Sequence, residues 1–338
     1  MSEELNSTIN NIKDELKENK ENIDDNEQKI IELEEKEYKM EDYKIFLYPA
    51  EIKKYITNLI ELQSKDDESE KFYPAYTSSV EIYFNDLKFN PEKIKYSISI
   101  PPNDMDYISK IISNQGWSGF HYLENLSKNI NLNKPIIMYY GIIQLGAFFS
   151  NLHFNFTVQN HEVKRINNIR SHGLDSSQLK DISFRININD ILSKSIKLEK
   201  TGLALRFCLA YDSSLLDHFK KQNSFSLLDL LKNYFWEKEY SRVKSQFQKD
   251  FGTTKPNIPI QSKLFNIYLL SYYLSILSRY KIHAWMKLLE DKQTNIRYFI
   301  DYFLKFGKQE FLASLFERLY DERLKIPMLK RSSSMMVI

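Results

Sequence analysis

Two long apolar stretches constrain the fold of this chain most strongly. Residues 136–149 are apolar almost all round, and residues 264–289 form a second such run. A helix that is apolar on every side has to be surrounded by other elements, so both stretches predict buried helices. Pro135 suits the start of the first helix, because the N–H that proline lacks has no partner in the first turn. The sequence therefore predicts a mainly α-helical core.

The sequence also indicates where in the cell the protein is found. No run of 18 or more uncharged apolar residues is present, and residues 136–149 are too short for a bilayer. The polar, acidic N-terminus lacks the pattern of a secretory signal. The single cysteine, Cys208, cannot form an internal disulfide and fits a reducing compartment. We therefore expect a cytoplasmic protein with no membrane span.

Weaker patterns predict a small antiparallel β portion, so the expected class is mainly α with some β (α+β). Apolar residues alternate over 94–100, 184–188 and 203–209, which is typical of strands. Gly116 and Gly119 predict a turn after a helix over 105–112. Further helices are expected over 215–235, 296–306 and 311–319.

The N-terminal segment carries a heptad pattern. Spacings of four and three residues alternate from Leu5 to Met40, with polar Asn19 and Asn26 in the seam. A stripe this narrow is buried only when another helix covers it, which favours a coiled coil and a homo-oligomer through residues 5–40. A lone helix lying on the body, or a partly frayed segment, is the alternative.

Charge divides the chain as well. Residues 1–42 carry 6 Lys and 15 Asp and Glu, so the segment has net charge −9 and the remaining residues have +11. The expected domains are a coiled coil over 1–42, a small α/β region over 43–115, a helical core over 116–325 and a flexible basic tail over 326–338. A basic body favours nucleic acid or another anionic partner. Alternatively, the charge reflects a composition rich in Lys, Asn, Ile, Tyr and Phe.

Three segments together resemble the bacterial YaaC-like family, over about residues 117–320. They are Tyr122-Leu123-Glu124 with the stretch 134–145, then His172-Gly173-Leu174, and last the stretch 274–280 with Trp285 and Leu288-Leu289. The family is functionally uncharacterised, so the resemblance implies an architecture and no reaction. The coiled coil looks like an addition to the family pattern.

His172 is the main catalytic candidate. It follows Arg165 and Arg170 in a polar stretch, and the six residues between Arg165 and His172 match the loose Arg-x4–6-His pattern of HEPN-type ribonucleases. There, His and Arg would activate a ribose 2′-OH and stabilise charge on the phosphate without a metal. The Asn favoured after the Arg is missing, since Ile166 stands there. Alternatively, His172 packs in a loop in which Gly173 supplies a positive φ.

Arg279 and Tyr280 are candidate ligand-binding residues, because a charge within an apolar helix must find a partner or reach solvent. In a functional interpretation, Arg279 lies near His172 and faces a phosphate or carboxylate ligand. The alternative is a buried ion pair. Tyr139 and Tyr140, together with Trp285, are expected in the core.

No motif predicts a cofactor or a metal. The Walker, Gly-x-Gly-x-x-Gly and Gly-x-Ser-x-Gly patterns are absent, and no Cys or His spacing resembles a zinc site. Two functions remain. The first is a non-enzymatic assembly component that presents its basic body to nucleic acid or a partner protein, for which a defence or stress system is a suitable setting. The second is a metal-independent ribonuclease that uses Arg165, Arg170 and His172.

Overall fold

A computed structural model describes residues 44–63, 102–129, 132–153, 157–159, 162–164, 172–199, 202–236 and 242–334. By its internal contacts the chain divides into two units, residues 1–45 and 46–338. Only Lys44 and Ile45 of the first unit are described, so the predicted coiled coil lies outside the described residues. Arg165 and Arg170 lie outside them too, and so do the strand predicted over 94–100 and the end of the chain beyond 334.

The fold class is confirmed as mainly α with a small antiparallel β portion. The α-helices are α1 Pro49–Gln63, α2 Pro102–Glu124, α3 Lys134–His153, α4 Ser177–Lys180, α5 Ile188–Ser193, α6 Leu203–Tyr211, α7 Leu216–Lys220, α8 Leu227–Trp236, α9 Arg242–Phe251, α10 Lys263–Tyr280, α11 Ile282–Glu290 and α12 Ile296–Ser334. The strands are β1 Thr157–Gln159, β2 Glu162–Lys164, β3 Leu174–Asp175, β4 Ser195–Leu198 and β5 Ser224–Ser226. Short 3-10 turns cover Lys44–Leu47, Asn125–Lys128 and Ser213–Leu215.

Helix α3 is the centre of the described core. It packs most extensively against α2 and α10, and it also contacts α6, α12 and α1. Helix α10 is buried from Leu264 to Ser275 without a break, and Ser262 caps its start by accepting a hydrogen bond from Phe265 N at 3.3 Å. Most of the first predicted apolar helix, and the part of the second that lies in α10 up to Ser275, are therefore buried as expected.

The length of α3 differs from the prediction. It extends over Lys134–His153, and by length and composition its stretch Lys134–Leu152 could cross a membrane. The helix is therefore longer than predicted from residues 136–149, and the prediction that it is too short for a bilayer is wrong. Of this apolar stretch, 72% is buried within the protein, and the core helix of a soluble protein can be equally long and apolar. Packing rather than membrane insertion is enough to explain its apolar surface.

The small sheet is built from segments that the sequence did not assign to strands. β4 pairs antiparallel with β3 through Leu174↔Leu198 and with β5 through Ile196↔Phe225. β1 and β2 form a separate antiparallel pair. β5 interrupts the helix predicted over 215–235, and the helix after it starts with a reciprocal pair in which Asp229 and Ser226 accept hydrogen bonds from each other's backbone N–H groups.

Two predicted strands are wrong. Residues 203–209 belong to α6, in which Ala204 and Cys208 are buried as well as Leu203, Leu205 and Phe207, so the burial does not alternate as it would along a strand with one buried face. Residues 184–188 form a turn followed by the first residue of α5, and Phe184 at the tip of this turn is 79% exposed.

Gly116 and Gly119 do not form the predicted turn, since both lie inside α2. A Cβ on Gly119 would lie 2.8 Å from Gly141 O and from Leu145 N of α3. Glycine is therefore required by a close approach of two helix backbones rather than by a turn. This approach fixes α2 against α3.

The last three helices also differ from the prediction. The stretch 264–289 is two helices, because the backbone at Lys281 (φ −131°, ψ 51°) separates α10 from α11. The two helices predicted over 296–306 and 311–319 are one helix, α12, which continues to Ser334. Most of the segment predicted as a flexible tail, residues 326–334, is therefore helical.

Candidate functional site

Arg279 and Tyr280 are the last two residues of α10, where that buried helix reaches the surface. Both side chains are exposed, and the guanidinium carbon of Arg279 lies 4.8 Å from the centre of the Tyr280 ring. Arg279 Nη1 donates a hydrogen bond to the Tyr140 hydroxyl at 2.8 Å. In the described part of the chain, no carboxylate forms an ion pair with Arg279. The buried ion pair considered from the sequence is therefore not observed there.

The backbone around His172 is fixed by hydrogen bonds to two other segments. His172 O accepts from Ala204 N at 3.0 Å, and Gly173 O accepts from Glu199 N at 3.0 Å. Gly173 has φ 76°, the conformation expected of it from the sequence, and glycine adopts it without strain. These contacts hold His172 in place two residues before β3.

His172 is exposed as a residue, but its ring lies against two tyrosines. Its centroid is 5.6 Å from that of Tyr139 and 6.2 Å from that of Tyr272. The contacts remove part of the water around the imidazole and lower its pKa, and the positive charge of Arg279 lowers the pKa further. His172 is therefore neutral near pH 7, since even its unperturbed pKa is about 6.5. The structure brings together His172 and Arg279, which lie 107 positions apart in the sequence.

A cluster of buried tyrosines lies beneath His172. Tyr139 is 5% exposed, and its ring is 5.3 Å from Tyr272 and 6.3 Å from Tyr268. Burial raises the pKa of Tyr139 and of Tyr268 far above the ordinary value, so both phenols stay protonated. Neither hydroxyl has a hydrogen-bond partner of normal geometry among the described residues. The Tyr272 hydroxyl donates to Leu174 O at 3.3 Å, and this hydrogen bond connects the tyrosine cluster to β3.

The prediction that Tyr139, Tyr140 and Trp285 lie in the core holds for two of the three. Tyr139 and Trp285 are buried, whereas Tyr140 is only half-buried and contacts Arg279. Tyr122 is a member of the site that sequence reasoning missed. It is 42% exposed on α2, and its ring centroid is 6.2 Å from that of Tyr140.

We name the surface formed by Tyr122, Tyr140, His172, Arg279 and Tyr280 the arginine–tyrosine patch. It combines one fixed cation, one neutral imidazole and aromatic rings that reach solvent. Tyr140 uses one nitrogen of the guanidinium, so other N–H groups of Arg279 remain to donate to an anion. A planar ring of a ligand could stack on the tyrosines.

Two carboxylates, Asp175 and Glu199, lie close enough to Tyr272 to contribute to its raised pKa, after the larger effect of burial. Asp175 already accepts hydrogen bonds from Ser177 N and Oγ at 2.8 and 2.9 Å. Among the described residues, no group of three or more His, Cys, Asp or Glu side chains is placed to hold a metal ion. The side chains of the patch that reach solvent are those of Arg279, His172 and the tyrosines.

One segment of the chain matches a known protein family. Residues 218–319 match the family described as YaaC-like Protein, which confirms the predicted resemblance over that segment. The matched segment is under a third of the chain and includes Arg279 and Tyr280, but not His172, Tyr122 or Tyr140. No curated protein and no solved structure matches the chain.

Proposed function

We propose that this protein is a non-enzymatic binding component that holds single-stranded nucleic acid at the arginine–tyrosine patch. The observation that carries the proposal is the state of Arg279. Its guanidinium is exposed, held by Tyr140 and Tyr280, and unpaired with any carboxylate of the described chain. An arginine held this way loses little conformational freedom when it meets a phosphate.

The residues around Arg279 suit nucleic acid better than a simple anion. Single-stranded nucleic acid offers phosphates to cations and base faces to aromatic rings. Tyr280 and Tyr122 are 59% and 42% exposed, so their rings are accessible to a base. The net charge of +11 outside residues 1–42 adds long-range attraction.

Self-association through residues 5–40 belongs to the same proposal. Several patches on one oligomer would bind one strand at once, which raises overall affinity without any new contact. A cytoplasmic location is consistent with the buried, unpaired Cys208.

The experiment is fluorescence anisotropy with a labelled single-stranded RNA of about 16 nucleotides. Arg279→Gln should weaken binding and lower the slope of log affinity against log salt by about one unit, because one phosphate contact is lost. Tyr280→Ala should cost about 1–3 kcal/mol, the usual value of one stacked base.

Matched controls come from α12. Arg297 is exposed and pairs with Asp301, and Tyr298 is 50% exposed. Arg297→Gln and Tyr298→Ala should leave affinity unchanged. The proposal is wrong if the wild type shows no salt-sensitive binding, or if the control variants lose as much affinity as the patch variants.

A second function, metal-independent RNA cleavage, is favoured by the neutral, accessible imidazole of His172 beside a cation. His172 would take the proton of a ribose 2′-OH, whose oxygen would bond to the adjacent phosphorus as the bond from phosphorus to the next nucleotide's 5′-oxygen breaks. A 2′,3′-cyclic phosphate would remain, and the 5′-oxygen would take a proton from water and leave as a hydroxyl. Arg279, with the predicted Arg165 and Arg170, would stabilise the charge on the phosphate. Incubation with labelled RNA in EDTA tests it. Cleavage that His172→Ala abolishes would replace the binding proposal, and uncut RNA with the wild type rejects the ribonuclease.

A further inference from the structure

Helix α11 presents an apolar face to solvent. Ile282 and Met286 are one turn apart and are 44% and 37% exposed. The opposite face of the helix, formed by Ala284, Trp285 and Leu288, is buried in the core. Because the buried face already anchors the helix, the exposed face is not needed for folding.

A neighbouring loop extends this face. The ring of Phe184, 79% exposed, stacks on His283 with centroids 4.3 Å apart. Two lysines of the α10–α11 region fix the loop on either side of Phe184. Lys281 Nζ donates to Lys180 O at 2.6 Å, and Lys287 Nζ donates at 2.5 Å to the carbonyl two residues beyond Phe184. Hydrogen bonds to the backbone on either side of Phe184, rather than burial of its ring, therefore hold this residue in its exposed position.

The apolar face lies in a part of the sequence where basic residues outnumber acidic ones. The two segments that carry it, residues 180–187 and 279–292, contain six basic and three acidic residues. The basic residues are Lys180, Arg185, Arg279, Lys281, Lys287 and Lys292, and the acidic residues are Asp181, Glu290 and Asp291. Of the three carboxylates, that of Asp291 is occupied by hydrogen bonds from Gln293 N and Thr294 N. A net charge of +3 within these segments is denser than the +11 of residues 43–338 as a whole.

We propose that Phe184, Ile282 and Met286 form a docking surface for an acidic amphipathic helix of a partner protein. Such a helix would cover the apolar side chains with its own apolar stripe and place its carboxylates over the flanking cations. Methionine suits this role, since its unbranched side chain adapts to different apolar surfaces. Charge complementarity selects an acidic helix over a basic one.

This surface is separate from nucleic-acid binding. None of its central side chains, Phe184, Ile282 and Met286, belongs to the arginine–tyrosine patch, and the two surfaces share only the flanking Arg279. Loss of one activity therefore does not entail loss of the other.

The experiment uses the full chain and two synthetic amphipathic peptides of about 15 residues. Both have Leu at helical i, i+3, i+4, i+7 spacing, and the other positions are mainly Glu in one peptide and mainly Lys in the other. By isothermal titration calorimetry, the Glu peptide should bind at least about tenfold more tightly than the Lys peptide. Phe184→Ser and Met286→Ser should each weaken the Glu peptide about tenfold, since each removes a large buried side chain from the contact.

Tyr107→Ser is the matched control, because Tyr107 is 61% exposed on α2. This variant should bind the Glu peptide as the wild type does, and Met286→Ser should bind RNA as the wild type does. Equal affinity for the two peptides, no binding of the Glu peptide below about 1 mM, or equal loss in Tyr107→Ser would overturn the proposal. A smaller oligomer for Met286→Ser than for the wild type in sedimentation would overturn it as well, because a second copy would then occupy the surface.

Discussion

Gly119→Ala should separate α2 from α3, and the structure gives the size of the effect. The added Cβ would lie 2.8 Å from two backbone atoms of α3, Gly141 O and Leu145 N, whereas ordinary contact begins at 3.4 Å. Backbone atoms inside a helix cannot turn aside as a flexible side chain can. The helices must therefore move apart by about 0.6 Å, the difference between the two distances. Overpacking of this kind typically costs about 1–3 kcal/mol.

Gly146→Ala is the control that isolates this cost. Gly146 lies in α3, and the nearest atom to its Cβ would be 3.6 Å away on Phe207, an ordinary contact. Both substitutions gain about 1 kcal/mol of helix propensity, so that term cancels between them. Urea unfolding followed by far-UV circular dichroism should place Gly119→Ala about 1–3 kcal/mol below Gly146→Ala in free energy of unfolding. Equal stability of the two variants within about 0.5 kcal/mol would refute the helix contact.

Further predictions concern His172, Asn233 and Tyr273. An NMR titration should place the pKa of His172 below its ordinary value of about 6.5, and Arg279→Gln should raise it. Because the pKa of His172 is lower in the folded state, the unfolded chain binds more protons between the two pKa values. The contribution of His172 to stability is therefore present above about pH 6.5 and is lost as pH falls through the folded-state pKa. His172→Gln should reduce the slope of unfolding free energy against pH in this range. Asn233→Ala should cost about 1–3 kcal/mol of unfolding free energy. The buried Asn233 side chain accepts a hydrogen bond from Ile260 N at 2.7 Å, and the substitution leaves that donor unpaired. Tyr273→Phe should cost about 1 kcal/mol, because its hydroxyl is shared between the carbonyls of Ile191 and Lys194 at 3.0 Å each; a stability equal to the wild type would contradict this.

The helical core could be predicted because its signal is local. The runs in α3 and α10 are apolar on every side, and a helix with no polar face has one stable place, the interior. The break at Lys281 was missed because apolar residues continue on both sides of it. A buried β-strand and a buried helix also look alike over a short apolar segment, which is why residues 203–209 were assigned to a strand.

Gly119 shows what a single sequence could not give. Two glycines three positions apart, Gly116 and Gly119, are typical of a turn, and only the position of α3 shows that Gly119 is there to let two backbones approach. Tyr122 was missed for the same reason, since this helix contact is what brings it beside Tyr140. Arg279 was recognised because charge is unexpected in an apolar helix, and its pairing with Tyr140 spans 139 positions of the chain.

The proposed function requires single-stranded nucleic acid to lie on the arginine–tyrosine patch. Ultraviolet cross-linking of the full chain to single-stranded RNA, followed by mass spectrometry of the linked peptides, locates the contact. We expect cross-links on the peptides that contain Tyr280 and Tyr122, and we expect Arg279→Gln to abolish them. Cross-links that instead lie on the exposed tyrosines Tyr107, Tyr298 or Tyr320, and persist with Arg279→Gln, would contradict the proposed function.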